Sequence, residues 1–329
     1  MSEQEAQVAE KYDSKAAKEA CQKYVLKKGA LTFGVADIVV LEKIAPAGHR
    51  PSDIMPKAKS VLCVGVGGGT SGSWSADAKT FAYVADTETM AYRVAYGLAF
   101  MIEAKYGYRS VFCPPDADPE KGARIPMQSL KLHAEIAGIG ARSMAGDIML
   151  HPEYGMLYYG TVFTEMELAP DLPMAENPCP HPSCVKLYQQ SGQTPCQKYC
   201  PVSCLSGSLS EDGKQAEMNY DTHACATMCQ QYEAIPSVLI DTMDAKDPIE
   251  RGMALHGPES QVIWYKLAIG AGELLALCAE CMRVCPIAQR APQANVIART
   301  AGMRAKIADA EALAREDEAS DKMKSGRGA

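Results

Sequence analysis

Apolar residues recur at three-and-four spacing in some stretches of the chain and run nearly unbroken in others, which predicts an alternation of helices and strands. Residues 4–28 read as an amphipathic helix, and "TETMAYRVAYGLAFMIEAKYG" (87–107) as a second one closed by Gly107. "FGVADIVVL" (33–41) and "SVLCVGV" (60–66) read as short strands, as do "YRSVFC" (108–113) and "MLYYGTVFTEMEL" (156–168), which are enriched in β-branched and aromatic residues. Between them, "PPDADPEKG" predicts a loop and "IPMQSLKLHAEIAGIG" (125–140) a helix. The fold class expected is therefore α/β (α+β).

The texture changes at "APDLPMAENPCPHP", where five prolines in fourteen residues can continue neither a helix nor a central strand. We expect a domain of residues 1–172, a Cys-rich domain of 173–292, and a charged C-terminal helix and tail over 293–329. No repeat of solenoid spacing is present in the sequence.

Composition narrows the function classes. A net charge of -7 argues against a DNA-binding footprint, and 47% hydrophobic residues suit a sizeable core. The most apolar stretch, "VIWYKLAIGAGELLALCAECM", is interrupted by Lys266, Glu273 and Glu280, so no membrane span is expected. The charged opening lacks the apolar region of a secretory signal, and the expected location is cytoplasmic.

Thirteen cysteines in such a chain point to metal-bound thiolates rather than disulfides, and ten of them lie between 179 and 285. "CAECMRVCP" gives Cys278-x2-Cys281-x3-Cys285-Pro, and "CPHPSCVKLYQQSGQTPCQKYCP" gives Cys179-x4-Cys184-x11-Cys196-x3-Cys200-Pro. Paired C-x3-C-P endings belong to the two-cluster ferredoxin pattern, in which the proline-followed cysteine ligates the other cluster. One [4Fe-4S] cluster would then take Cys179, Cys184, Cys196 and distant Cys285. The second would take Cys200, Cys278, Cys281 and Cys225, leaving Cys204 and Cys229 over, either of which could displace an assigned ligand such as Cys196 or Cys225. Structural zinc, which also accepts four thiolates, is the alternative, but it seldom asks for that proline.

These cysteines, preceded by "HAEIAGIGARSMAGDIMLHPEYGMLYYGTVFTEMELAPDLP", make the chain resemble the epoxyqueuosine reductase and reductive dehalogenase superfamily over residues 80–290. The resemblance implies a nitroreductase-like domain that binds a corrinoid (cobalamin), followed by a ferredoxin-like domain whose two clusters feed it electrons for the reductive removal of halide or an epoxide oxygen. It implies a low-potential donor, ferredoxin or flavodoxin, and a small-molecule or corrinoid-protein acceptor. The chain departs from the family pattern at two places, with Ala123 where an acidic proton donor is usual and Ala145 where a basic residue is usual, Arg142 being displaced by three positions.

Other candidates follow. Tyr154 and Tyr158, with neighbouring Tyr159, could protonate a product, although packing is the commoner fate of such residues. Gly67, Gly69 and Gly72 match G-x-G-x-x-G after a strand but without a following helix, so backbone approach to a corrinoid or flavin is expected before nucleotide binding. Gly67, Gly69, His151 and Gly155 are the cofactor-binding candidates; His133 reads as helix packing and His181 as a neighbour of the cluster ligands. A second functional class stays open: an electron-transfer module that reduces a partner without turning over a substrate.

Overall fold

The computed structural model describes residues 12–67, 86–113, 128–146, 148–230, 234–258, 260–261, 264 and 278–288. Residues 68–85 and 114–127, with Gly69, Gly72 and Ala123, and the expected C-terminal helix lie outside these residues.

Helix α1 (Ser14–Lys27) begins where the Asp13 carboxylate accepts the amides of Lys15 and Ala16. Strand β1 (Thr32–Ala36) follows, and here the sequence reading needs correction. "FGVADIVVL" is not one strand: it breaks at Asp37, whose side chain caps helix α2 (Ile38–Ile44) by accepting from Val39 and Val40. The β-branched run favoured a strand, and a good cap with tertiary packing overrides that weak preference. Helix α3 (Pro51–Ile54) leads to strand β2 (Ser60–Gly67), buried along almost its whole length. Helix α4 (Asp86–Tyr106) ends at Gly107, and strand β3 (Ser110–Cys113) follows. Helix α5 (Leu130–Ile136) is shorter than its sequence pattern, because Ser129 caps it late and Gly138 turns the chain at positive φ.

Strands β4 (Ala141–Arg142), β5 (Met149–His151) and β6 (Gly155–Thr164) complete a six-stranded sheet in the order β1-β2-β6-β5-β4, with β3 also on β6. Every pairing in it is antiparallel, so the architecture is α+β rather than a parallel crossover fold. The pleat sorts side chains to two faces. Leu62, Val64 and Val162 pack with α1 and α4 on one face, whereas Val61, Cys63, Tyr159 and Phe163 pack with α5 on the other. The helix on the first face sits close: a Cβ at Gly160 would come within 2.5 Å of the Ala91 carbonyl, so only glycine admits α4 here.

Beyond β6 the chain forms helices α6 (Pro182–Ser191) and α7 (Pro195–Lys198), then a hairpin of β7 (Leu205–Leu209) and β8 (Gln215–Tyr220). Helices α8 (Thr222–Gln230), α9 (Ala234–Asp244), α10 (Pro248–His256) and α11 (Glu280–Arg283) follow. No described helix is long and apolar enough to cross a membrane.

Candidate metal centre

A third packed cluster holds the cysteines. Its buried members include Met156, Cys204, Leu205, Met282 and Ile287, with Cys179, Cys196, Cys200, Cys225, Cys281 and Cys285 packed against them. Local structure explains how residues so far apart meet. His181 starts α6, its Nδ1 accepting the Ser183 amide at 3.3 Å, and this places Cys184 on the first turn. Thr194 and Gln197 close a capping box that begins α7 and orients Cys196. The β7–β8 hairpin pairs Leu205 with Tyr220, bringing Cys204 beside Asp221; the Asp221 amide donates to the Cys204 carbonyl at 2.9 Å. The Asp221 side chain accepts the Ala224 amide at 3.0 Å, starting the helix that carries Cys225.

Cys179, Cys184, Cys196 and Cys285 line a single part-open cavity with Met144, Ala145, Thr194 and Ile287. The Met144 amide donates to Cys179 Sγ at 3.4 Å, and the Thr194 hydroxyl lies 3.2 Å from Cys196 Sγ. Burial pushes the Cys179 thiol up to about 12, with the fields of Cys196, Cys285 and Cys184 adding to it. Cys184 is raised to about 11, again mainly by burial.

A second set gathers beside the first. Burial raises Cys278, which also feels Cys225 and Cys200. Cys281 is likewise raised well above its ordinary value, first by burial and then by Cys196, Cys278, Cys225 and Cys200. The two sets therefore adjoin at Cys196 and Cys281. Cys204, unassigned in the sequence reading, lies 3.4 Å from Cys200 Sγ and packs in one cluster with Cys225. Its only sequence signal was its place four residues after Cys200. Cys229 sits on α8, and its side chain is outside the described residues.

Among the described residues, no three His, Cys, Asp or Glu side chains close on a point that would seat one ion. A tetrahedral zinc with Zn–S of about 2.3 Å needs its sulfurs roughly 3.8 Å apart. Four thiols around one cavity, with the Met144 amide aimed at the Cys179 sulfur, are a donor set that either an iron-sulfur cluster or zinc could accept.

The remaining candidates separate. Tyr158 packs beside the thiols, whereas Tyr154 packs against the α5 face of the sheet and stacks on His151 at 4.9 Å. Tyr159 is buried and donates to the Ile139 carbonyl at 3.3 Å. The His151 Nδ1 accepts the amides of Glu153 and Tyr154, both at 3.2 Å. At Gly155, with φ +70, a Cβ would meet the carbonyls of Ala288 and Ile287 at 2.4 and 2.5 Å. Gly67 ends β2 opposite Leu157. His133 is buried against Phe163, 3.4 Å from the Thr161 hydroxyl. Arg142 pairs with Glu135 at 2.8 Å, and Ala145 lines the thiol cavity.

The chain is similar to several solved structures. An epoxyqueuosine reductase from Bacillus subtilis matches with 16% identity over 84% of this chain and 66% of its own, at a TM-score of 0.46. One from Streptococcus thermophilus matches with 18% identity over 83% and 66%, at 0.40. A reductive dehalogenase described with a mechanism for B12-dependent dehalogenation matches with 15% identity over 82% and 39%, at 0.48. In fold this chain is similar to these enzymes. It spans only 53% of one epoxyqueuosine reductase bound to a tRNA stem loop, and 39% of the dehalogenase. No family model and no curated protein matches the sequence.

Proposed function

We propose that this chain is an iron-sulfur oxidoreductase that carries single electrons through two [4Fe-4S] clusters to a corrinoid, for the reductive removal of a leaving group. The observation that carries the cluster reading is the cavity lined by Cys179, Cys184, Cys196 and Cys285, which draws its fourth thiol from the far end of the Cys-rich segment. Cys200, Cys225, Cys278 and Cys281 would hold the second cluster. Clusters bound there would supply one-electron transfer, at a potential set by net charge, hydrogen bonds to sulfur and solvent exposure.

The chain's own residues prepare this chemistry. Burial keeps the thiols of Cys179, Cys184 and Cys281 protonated, and a metal that binds them would displace those protons to solvent. The Met144 amide offsets negative charge on the Cys179 sulfur. Adjacency of Cys196 and Cys281 supports a short path between the two sites. A low-potential ferredoxin or flavodoxin is the donor we propose.

The corrinoid part rests on sequence resemblance. Two of its nominated contacts are engaged by the protein itself, since the space at Gly155 holds the 287–288 backbone and the His151 Nδ1 accepts two amides. This observation favours a second reading, in which the acceptor is held by a partner protein and the chain is an electron-transfer module.

Anaerobic reconstitution with iron and sulfide, followed by iron counting and low-temperature EPR of the reduced protein, tests the first part. Zinc bound in preference to iron would overturn it. Cobalamin added to the loaded protein and followed through desalting divides the two readings: corrin absorption that survives supports the corrinoid enzyme, and iron-sulfur absorption alone supports the module.

A further inference from the structure

Among the described residues, five thiols crowd the second set, where four suffice for a cluster. Cys200, Cys225 and Cys281 pack into the same side-chain cluster, and the reading above takes them with Cys278 as the four ligands. Cys204 is packed into the same side-chain cluster, its sulfur against that of Cys200. The turn that puts it there is strained: Ser203, whose amide donates to the Cys200 carbonyl at 3.2 Å, holds a φ of +50, which non-glycine residues seldom adopt. That turn aims two donors from one residue at a single sulfur. The Cys204 amide lies 3.4 Å from Cys200 Sγ, and the Cys204 sulfur lies 3.4 Å from the same atom. Once Cys200 is a metal-bound thiolate it has no proton to give, so only Cys204 can be the S–H donor.

We propose that Cys204 is a positioning residue for the second cluster, donating its S–H and N–H to the Cys200 sulfur and thereby raising that cluster's reduction potential. The inference rests on the cluster reading above. Hydrogen bonds to ligand sulfur withdraw electron density and favour the reduced, more negative state. Cys204 is 7% exposed, so water does not replace the bond when the thiol is removed.

The test is a redox titration of the reconstituted full chain, with the EPR signals of the two clusters followed separately in wild type, Cys204→Ala and Cys204→Ser. Expected is a full iron load in all three, with a tenfold or greater loss in the reduction equilibrium of one cluster in Cys204→Ala, which is about 59 mV for one electron. The other cluster stays at its potential, and Cys204→Ser, which keeps a donor, recovers most of the shift. Loss of half the iron in Cys204→Ala would make Cys204 a ligand and overturn the proposal. Unchanged potentials in the iron-loaded variant would overturn it alone, whereas wild-type protein that takes up no iron would overturn the cluster reading as well.

Discussion

Gly155→Ala tests how the sheet holds the thiol cavity. Gly155 opens β6 with φ +70, and the carbonyls of Ile287 and Ala288 lie where its side chain would be. The Met156 amide bonds the same Ala288 carbonyl at 3.1 Å, so the segment just after Cys285-Pro286 is clasped to the sheet. Alanine in a left-handed conformation costs about 1–2 kcal/mol, and overpacking adds about 1–3 kcal/mol. The sum of about 2–5 kcal/mol exceeds the roughly 1 kcal/mol that one backbone hydrogen bond contributes. The segment should therefore lift away before the domain unfolds, carrying Cys285 out of the cavity. Expected is about half the iron of wild type after anaerobic reconstitution, with a smaller change in urea midpoint than a core deletion gives. Gly192→Ala is the control, since Gly192 shares a φ of +72 but nothing lies within 4 Å of the added Cβ. It pays the strain without the clash and should keep its iron. A full iron load in Gly155→Ala, or equal loss in both variants, would refute the reasoning.

Other predictions follow from the same geometry. Cys285→Ser should remove the cluster held with Cys179, Cys184 and Cys196 while the EPR signal of the other persists, and Cys278→Ser should do the reverse; loss of both signals in each variant would contradict two separable sites. Asp221→Ala removes the bond to the Ala224 amide, which should cost about 1 kcal/mol in urea denaturation and loosen iron only at the Cys225 site. His133, fully buried, is pulled down to about 3 by burial from an ordinary 6.5. Its folded form binds fewer protons than the unfolded chain, so its contribution to stability is whole above pH 6.5 and is lost as pH falls toward 3. Between pH 7 and pH 5 this one group should remove about 2 kcal/mol, and His133→Leu should remove that part of the acid sensitivity; identical pH profiles for variant and wild type would contradict it.

What the sequence made legible is what local chemistry decides. The largely apolar runs at 60–66 and 156–168 announced the two central strands, because both their faces are covered and only the buried Thr161 and Thr164 interrupt the apolar pattern within β6. The strand break at Asp37 had a signal, a capping residue before an apolar run, but the β-branched Ile38-Val39-Val40 spoke against it. The antiparallel order was not legible, since it depends on pairings such as Ser60 with Thr164 that no local pattern encodes. In the thiol sites, the two C-x3-C-P endings were enough to nominate Cys285 beside Cys179. Cys204 was left over as a thiol that could displace an assigned ligand, because its place depends on the β7–β8 hairpin and on a left-handed serine, neither of which its spacing reveals. Gly155 was nominated for a ligand, yet its neighbour is a backbone segment 132 residues further along.

That last contact bears on how the two halves of the chain act together. The cavity around Cys179 is not made by the Cys-rich segment alone: Ser143, Met144 and Ala145, between β4 and β5, form part of its wall, and one of them supplies an amide to a thiol. Asn177 reaches back to the Arg142 carbonyl at 2.8 Å and takes the Cys179 amide on its side-chain oxygen at 2.9 Å, so the same short stretch ties the first thiol to β4. A shift of the sheet at β4 or at the start of β6 is thus transmitted to sulfur positions and to the hydrogen bonds that set their charge. Conversely, iron binding that fixes Cys179 and Cys285 would pull on both β4 and β6. Loading the thiol sites should therefore protect the amides of Ser143 and Met156 from hydrogen exchange, although neither touches a cysteine through its own hydrogen bond. Exchange at those two amides that is unchanged by iron would separate the sheet from the site.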